Sequence, residues 1–505
     1  MAFPWLTFLG LVPLVGAGVL CLPVKQVARG IGMAFALLAV VVGIGVTVIY
    51  AGGGAAGLTE KSPWIPAFGA WWAVGVDGMA LVMVLLTVLL VPVVLLAEWK
   101  IPGRGRWTPQ AFFALVLALE SMSLFVFMAQ DVLLFYLFFE ATLIPMYFLI
   151  GGFGGARRSY AAIKFLLFSL AGGLVMLASV IGLYVWSVRL TGTPTYLLSE
   201  LGQLHIDPVL ARWLMLGFLL AFIVKAPMVP VHTWLPTAAE ESTPGTSVLL
   251  VGILDKIGTF GMIKFCLWLF PEASTWVAPV MVVLALISII YGAVAAIGSP
   301  NLLRLIAYTS ISHFGFMVLG IYTFTSTGIS GSIFYMVNHG FSTAALFLVI
   351  GFLISRRGSA LVADFGGVQK LAPVLTGVFL MAGLSGLALP GMSSFVSEFM
   401  ALAGAWSRQP GVAAVATIGT VLAAVYILRM YQRTMTGPVT DDVTRTFTTD
   451  ATAREKWVAA PVLAAILVLG FAPNLALSVI EPVAQSTMSH VGVADPVAPL
   501  GEEAK

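Results

Sequence analysis

Apolar segments of membrane-spanning length recur along this chain and constrain its fold more than any other feature. A helix needs about 20 predominantly apolar residues to cross a bilayer, and about fourteen segments of the sequence reach that length. Only 9% of the residues are charged, whereas soluble domains carry about 25%. Mean hydropathy is +1.03 over 505 residues. The sequence therefore predicts an all-α polytopic membrane protein.

The seventh and twelfth predicted spans contain prolines, which remove backbone donors and should break the helices. The first span has no basic region before its apolar run, so we expect a transmembrane helix there rather than a cleaved signal. The segment from Glu481 to Lys505 is predicted to be an irregular end outside the membrane. The predicted spans are 3–22, 31–51, 78–97, 109–129, 132–152, 161–188, 209–236 with a break, 246–269, 276–298, 302–323, 329–354, 373–406 with a break, 410–432 and 456–480.

Lysine and arginine are concentrated in loops on one side of the predicted bundle. The positive-inside rule places those loops in the cytoplasm, and an even number of spans then places both termini outside. The basic side holds Lys25, Arg29, Lys100, Arg104, Arg106, Arg157, Arg158, Arg304, Arg356, Arg357, Lys370, Arg429, Arg433, Arg445, Arg454 and Lys456, and the other side holds Lys61, Arg189, Arg212, Arg408 and Lys505.

Several classes of site are excluded by the residues present. Cys21 and Cys266 are the only cysteines and lie far apart in apolar segments, so no cysteine-type iron–sulfur or zinc site is expected. No Walker loop is found, and the Gly-rich runs have no strand before them. Basic residues form no patch with interleaved aromatics, which argues against nucleic-acid binding.

Lysines deep within the spans are the first functional signal. Lys225 and Lys256 lie in consecutive apolar segments, and Pro227 and Pro230 follow the first of them. A charge at membrane depth is costly unless it faces protein or water, so it indicates a pathway or a relay. Lys264 lies near a helix end, where it is expected either to snorkel or to form a terminal contact.

Carboxylates lie at similar depth. Glu140 is in the middle of the fifth span, and Glu398 follows the Pro390–Gly391 break of the twelfth. Glu120, in the fourth span, is either a relay member or a helix-pairing group. Asp255 precedes Lys256 but points about 100° away on an α-helix, so it is not automatically the partner of that lysine.

Histidines complete the set of polar groups. His313 has a threonine and a serine one turn before it, and His339 has Tyr335 one turn before it and Ser342 close to one turn after it, which places these groups on common helix faces. The prolines between Lys225 and His232 leave the direction of His232 undetermined. Lysine, glutamate and histidine across the midplane, without metal-ligand spacing, predict a proton path. The structural alternative is that Lys225 locks its helix to Glu140 and that the histidines only pack.

Duplication is indicated by the two broken spans. Each carries a proline-containing break near a buried charge, Lys225 in the seventh and Glu398 in the twelfth. Interrupted spans at corresponding positions of two halves are typical of inverted-repeat transporters.

Five motifs of this chain resemble those of the antiporter-like membrane subunits of respiratory complex I. The resemblance covers about Val76 to Met430, and within the family it is to the M-type chains, because Glu398 stands where L- and N-type chains have lysine and no long lateral helix is expected after the last span. The motifs are DVLLFYLFFEATLIPMYFLIGGFGGARRSYAAIKFLLFSLAG, VPVHTWLPTA with Lys256 downstream, LLRLIAYTSISHFGFMVLGI, NHGFSTAALFLVIGFL and LPGMSSFVSEF.

The resemblance implies a set of roles. Glu140 pairs with and tunes Lys225, and Lys256 passes protons along the central axis. His313 and His339 continue the path with ordered water, and Glu398 is the terminal donor or acceptor toward the next channel. Glu120, His232 and Tyr335 are secondary candidates.

The resemblance also implies an architecture and partners. Two inverted five-helix repeats, 109–270 and 276–435, lie between flanking segments 1–108 and 436–505 in a bacterial plasma membrane. L-type and N-type chains are expected as neighbours. This chain is expected to bind no cofactor, while NADH, FMN, iron–sulfur clusters and quinone belong to partner subunits whose redox energy drives pumping.

The sequence departs from the family pattern at three positions. Ala239 stands where histidine is common and is followed by Glu240 and Glu241, Asp255 stands where leucine is usual, and Asn301 stands where aspartate often occurs.

Alternative functions are a subunit of a multisubunit cation/proton antiporter or of a hydrogenase-linked complex. A scaffold that only spaces its neighbours is a further alternative, and it predicts that the deep charges are replaceable.

Overall fold

Apolar helices account for most of the chain, because lipid offers no hydrogen bonds and each spanning segment must satisfy its own backbone. The structure is a computed structural model that describes residues 3–496, apart from the side chains of residues 55 and 56. Among these residues, ten helices are long and apolar enough to cross a membrane, or eleven if one bent pair is counted as a span. The predicted class of helical polytopic membrane protein is confirmed, whereas the count of fourteen spans remains a prediction.

The N-terminal part contains the predicted helices and, in addition, a β-hairpin that was not predicted from the sequence. Strand β1 (Thr59–Ile65) pairs antiparallel with β2 (Ala70–Gly75), and Asp131 accepts a hydrogen bond from the Trp71 amide at 2.9 Å. The helices of this part are α1 (Trp5–Val19), α2 (Ala28–Ala51), α3 (Gly78–Ala97) and α4 (Pro109–Met128).

The next part begins with two short helices in line and includes the predicted broken span. Asp131 also accepts from the Leu133 and Leu134 amides and so caps the first helix. The helices are α5 (Val132–Ala141), α6 (Leu143–Phe153), α7 (Arg158–Thr191), α8 (Leu198–Leu201), α9 (Pro208–Lys225), α10 (Trp234–Glu241), α11 (Pro244–Leu249) and α12 (Lys256–Gly261).

The third part holds the long central helices and the second break. Asn301 accepts from the Leu303 and Arg304 amides at the start of its helix, so asparagine does here what aspartate does as a cap. The helices are α13 (Pro271–Gly298), α14 (Leu302–Tyr322), α15 (Ser326–Arg357), α16 (Pro373–Gly386), α17 (Ser393–Arg408) and α18 (Pro410–Met435).

The C-terminal part differs from the prediction. It contains α19 (Asp441–Thr446), α20 (Ala453–Phe471) and α21 (Asn474–Val491), with α20 and α21 bent by 66° at the break. The predicted single span 456–480 is therefore wrong at its end. The irregular segment predicted from Glu481 is helical as far as Val491, and residues 497–505 lie outside the described part. Residues spaced three to four apart along α21 form one buried face, which the hydropathy of a spanning segment does not reveal.

The centre of the bundle is formed by α14 and α15. In each, 89% of the most apolar window is buried, against 33% in α2 and α18, which therefore lie at the periphery. The buried helices are also those that carry the histidines, so polar groups are enclosed by protein rather than by lipid.

The seventh span is interrupted directly after Lys225. Its helix ends there and resumes at Trp234, whose indole donates to the Val224 carbonyl at 3.0 Å, while the Val229 amide donates to Ser288 at 3.1 Å. These bonds satisfy backbone groups that the break frees, which is the condition for irregular backbone at membrane depth.

The twelfth span breaks between α16 and α17. Ala388 and Gly391 adopt φ values of 56° and 92°. The Ser393 carbonyl accepts a hydrogen bond from the side-chain amide of Asn338 at 2.8 Å. The eighth span is irregular in another way, because π-helical turns at Leu250–Leu254 and Met262–Leu267 flank α12. Such turns frequently mark functional positions.

Ion pairs join the loops on the basic side. Arg157 pairs with Glu241 at 3.1 Å, and Arg304 pairs with Glu240 at 3.2 Å, so the two glutamates that depart from the family pattern tie three loops together. On the opposite side of the bundle, Lys264 pairs with Asp77 at 2.7 Å, so this lysine makes a terminal contact.

Asp450 anchors the loop before α20 to the start of α16. It accepts from the amides of Val374, Leu375 and Ala451 at 2.7–3.0 Å. Partial burial raises the pKa of Asp450, but together the three amide donors lower it by a larger amount. The pKa therefore lies below its usual range. The ionised Asp450 carboxylate therefore stabilises the folded protein at pH values above the pKa that this group has in the unfolded chain. That stabilisation is lost as the pH falls through the pKa of Asp450 in the folded protein.

Asp450→Asn should loosen this anchor. Losing the charge at a helix N-terminus costs about 1 kcal/mol, which corresponds to roughly fivefold faster local opening. Hydrogen exchange of the peptide that contains Val374 and Leu375, measured at neutral pH in the purified complex, tests this. Equal protection in variant and parent would show that these amides do not depend on the carboxylate.

Candidate functional site

His313 and His339 meet in the middle of the bundle, on α14 and α15. Their ring centroids are 5.2 Å apart and nearly perpendicular, and Tyr335, one turn before His339, lies 5.8 Å from the His313 ring. The sequence spacing placed Tyr335 and His339 on the same face of α15. The packing of α14 against that face brings His313 to them.

Lys256 reaches this group from the eighth span. Its ammonium lies 2.5 Å from His339 Nδ1 and donates to the Val251 carbonyl at 2.7 Å. That carbonyl is five residues earlier and belongs to the π-helical turn, in which backbone groups are displaced from the α-helical ladder. Lys256 is also 4.9 Å from the Phe314 ring, an arrangement that favours the cation.

Lys256, His339, His313, Tyr335 and Glu398 form a buried row of side chains, and Glu398 lies at the end opposite Lys256. Tyr335 donates to one carboxylate oxygen at 2.7 Å, and Thr420 of α18 donates to the other at 2.6 Å. The break before α17 positions Glu398 one turn into the new helix, facing α15. Donors on both oxygens hold the carboxylate in one orientation.

Tyr426 is a member of the site that the sequence analysis missed. Its hydroxyl lies 3.1 Å from His313 Nε2, and the side chain is buried. It also lines a cavity of about 430 Å³ that includes Arg429 and Arg433 at the end of α18. No motif marked this tyrosine, because only the packing of α18 against α14 brings it to the histidine.

Lys225 and Glu140 lie at the junction of α5, α7 and α9. Each is a charged neighbour of the other, although Lys225 Nζ has no hydrogen-bond partner within residues 3–496. Gly173 of α7 leaves the space that the Glu140 carboxylate fills, since a methyl group there would overlap it. Lys225 faces the rings of Phe139 and Phe165 at 5.1 and 5.8 Å. The pair is therefore held close without direct contact.

Glu120 and His232 are not brought into this row. Glu120 is buried on α4, and within the described part of the chain neither of its oxygens has a hydrogen-bond partner. His232 packs its ring 4.9 Å from that of Tyr291, and its charged neighbour is Lys164 rather than Lys225.

Metal and cofactor ligands are not clustered in the described residues. Between residues 3 and 496, no group of three or more His, Cys, Asp or Glu side chains is arranged to hold a metal ion. Cys21 and Cys266 are both free.

The arrangement suits proton exchange. Lysine, histidine and glutamate side chains each carry a proton in one state and can accept one in the other. The tyrosine hydroxyl both donates and accepts a hydrogen bond, so it can pass a proton on. Buried in a row between broken helices, such groups mark ion or proton pathways. The sequence predicted six of these residues, and the structure brings four of them, Lys256, His339, His313 and Glu398, into one cluster.

Comparison with known proteins gives consistent matches over nearly the whole chain. A family model described as NADH:quinone oxidoreductase/Mrp antiporter, TM matches residues 129–423. The chain is 48% identical to NADH-quinone oxidoreductase subunit M of Mycobacterium tuberculosis (strain ATCC 25618 / H37Rv), covering 98% of this chain and 95% of that protein. It is 36% identical to NAD(P)H-quinone oxidoreductase chain 4 2 of Thermosynechococcus vestitus, over 97% and 92%.

Solved structures share the fold. A chain of respiratory complex I from Thermus thermophilus with bound NADH superposes with a TM-score of 0.87 at 31% identity, covering 96% of this chain and all of that one. A chain of the Mrp complex from Dietzia sp. DQ12-45-1b superposes with a TM-score of 0.81 at 22% identity, over 97% and 100%, and shows likeness of fold alone.

Proposed function

This chain belongs to the antiporter-like membrane subunits of NADH–quinone oxidoreductase, in the M-type branch, and we propose that it translocates protons through a relay of its own. The relay consists of Glu140, Lys225, Lys256, His313, His339 and Glu398, linked by water. Tyr335 and Tyr426 support it by hydrogen bonds. Glu120 and His232 have no part in it, because they lie away from the row.

The observation that carries the proposal is the buried row from Lys256 to Glu398. Lys256 contacts His339, His339 packs on His313, and Tyr335 joins the histidines to Glu398. Charged and titratable groups at this depth are costly and are retained where they move charge. Lys225 and Glu140 form the entrance to the row, where a change in the Glu140 charge alters the tendency of Lys225 to release its proton.

Energy reaches the relay from elsewhere in the complex. NADH oxidation and quinone reduction take place in partner subunits that hold FMN, iron–sulfur clusters and quinone, and this chain binds none of these. Neighbouring L-type and N-type chains contact it in the membrane, so that Glu398 is placed to exchange protons with the next channel.

The topology that we propose has about fourteen spans in a bacterial plasma membrane, with both termini outside. It counts the short helices α1 and α16 and the segments interrupted by breaks or π-helical turns as parts of spans. Segments 109–270 and 276–435 are inverted five-helix repeats, flanked by 1–108 and 436–505. The proline-containing breaks beside Lys225 and Glu398, at corresponding positions of the two segments, support the repeat.

The alternative is a cation/proton antiporter subunit or a hydrogenase-linked subunit. The similarity to the Mrp chain is one of fold, whereas relatives at 36–48% identity belong to quinone oxidoreductases. Sodium-dependent turnover of the purified complex would favour the alternative.

Tyr335→Phe tests the row at its least disruptive point. The substitution removes one hydroxyl and one hydrogen bond to a carboxylate, worth about 1.4 kcal/mol, so proton pumping should fall about tenfold. Pumping and quinone reduction are measured together in membrane vesicles that contain the assembled complex.

Tyr322→Phe is the matched control. Tyr322 is buried on the same helix as His313, and its hydroxyl has no hydrogen-bond partner in residues 3–496. The control should pump normally. Equal pumping by both variants would remove Tyr335 from the row and would leave Glu398 without a connection to the histidines.

A further inference from the structure

Asp255 is a fully buried carboxylate that the proposed relay does not use. Its exposed fraction is 0%, and neither carboxylate oxygen has a hydrogen-bond partner among the described residues. A buried and unpaired carboxylate is costly, so its surroundings must supply compensation. The charged groups that act on it are Lys256 and Lys225.

The segment that follows Asp255 packs against the end of the helix that carries Lys225. Asp255 directly precedes α12 and shares a helix face with Gly258, three residues later. A methyl group on Gly258 would lie 2.5 Å from the Ala226 amide nitrogen and 2.6 Å from the Phe222 carbonyl, so this face touches the end of α9. Lys225 is the last residue of that helix.

The next residue faces the opposite partner. Lys256 extends toward α15, where its ammonium meets His339. The π-helical turn that ends at Leu254 lies directly before these two residues and sets their directions. One short segment thus presents a carboxylate toward one lysine and an ammonium toward the histidine row.

Charge coupling supports the same arrangement. The charged neighbours of Lys225 include two carboxylates, Glu140 and Asp255, and Asp255 is also the carboxylate that acts on Lys256. Asp255 therefore interacts with both lysines and is next to one of them in sequence.

We propose that Asp255 is a proton-carrying site that joins Lys225 to Lys256. The proposal rests on the proposed function. The Lys225 ammonium gives its proton to the Asp255 carboxylate, which leaves a neutral amine and a neutral carboxylic acid. When Lys256 has passed its own proton to His339, the acid gives the proton to the Lys256 amine and returns to carboxylate. No electron moves, and the total charge of the three groups changes only by the proton that enters or leaves.

The test compares Asp255→Asn with Glu120→Gln in the assembled complex. Both substitutions replace a buried carboxyl group by an amide of similar size, but no charged neighbour within residues 3–496 acts on Glu120. Proton pumping, quinone reduction and their ratio are measured in vesicles as a function of pH. Asp255→Asn should lower coupled pumping at least about tenfold, while Glu120→Gln leaves it unchanged.

Asp255→Glu separates proton transfer from structural support. It keeps the carboxyl group but moves it by one methylene, so pumping should recover in part, with a displaced pH profile. A profile identical to that of the parent, with normal pumping in Asp255→Asn, would overturn the inference. Where Asp255→Asn does not assemble, the glutamate variant decides: a displaced pH profile supports the inference, and an unchanged one overturns it.

Failure of this inference is distinguishable from failure of the proposed function. Normal pumping by Asp255→Asn together with loss of pumping by Lys225→Ala would leave the relay in place and remove only Asp255 from it. Normal pumping by both variants would remove the relay itself.

Discussion

Lys225→Ala should abolish proton-gradient formation by a complex that still assembles. The lysine is buried beside the break of the seventh span, and its charged neighbours include two carboxylates. If it receives and releases the transported proton, an apolar side chain interrupts the path at its first step. Loss of one group in a proton-transfer sequence lowers the rate by about a hundredfold or more. Vesicles are followed for NADH-driven quinone reduction and for acidification, and assembly is checked on native gels.

Lys225→Arg distinguishes this role from a structural charge. Arginine keeps the positive charge that attracts Glu140, but it does not release a proton in proteins. The relay predicts that the arginine variant assembles and fails to pump. A structural ion pair predicts that it pumps, while the alanine variant fails because an unpaired carboxylate is left buried. Normal pumping by an assembled alanine variant would contradict both accounts.

The membrane class, the family and the helix breaks were accessible from the sequence. Hydropathy predicts spans because a membrane leaves few alternatives to helices, and Pro227 and Pro390 predict interruptions through their missing donors. The family resemblance rested on long motifs and is confirmed by relatives that cover nearly the whole chain. The number of spans and the repeat boundaries remain predictions.

Amphipathic and extramembrane elements were less accessible. Helix α21 has a mixed composition, so the predicted span ends partway along it at residue 480, and the bend of 66° between α20 and α21 has no motif. The hairpin Thr59–Ile65 and Ala70–Gly75 contains prolines and glycines and is held by contacts such as the Thr7–Trp72 hydrogen bond, which joins it to α1.

The site was accessible where spacing along one helix decides proximity. His339 and Tyr335 share a face because they are four residues apart. Tyr426 was missed because its meeting with His313 depends on packing between helices. Asp255 was named but given no role, because an ideal α-helix left its partner open and the π-helical turn before it cannot be read from the residues. The roles of the six relay residues remain predictions.

Glu398→Gln should also remove pumping, and it should do so with little change in structure. Glutamine has nearly the same size, and its carbonyl oxygen still accepts from Tyr335 or Thr420. It cannot bind and release a proton. Because the carboxylate is the last group of the buried row, we expect a loss of about a hundredfold in pumping by the assembled complex.

Two further variants show whether ionisation is the property that matters. Glu398→Asp keeps a carboxyl group but withdraws it from Tyr335 and Thr420, so pumping should fall less than in the glutamine variant. Thr420→Val removes only the 2.6 Å hydrogen bond to the carboxylate and should cost about tenfold, since a hydrogen bond to a charged group is worth about 1.5 kcal/mol or more. The expected order of pumping is therefore parent, then the Thr420 and aspartate variants, then the glutamine variant. A glutamine variant that pumps as well as the aspartate variant would mean that Glu398 holds α15, α17 and α18 together by hydrogen bonds, and that protons leave the histidines by way of Tyr426.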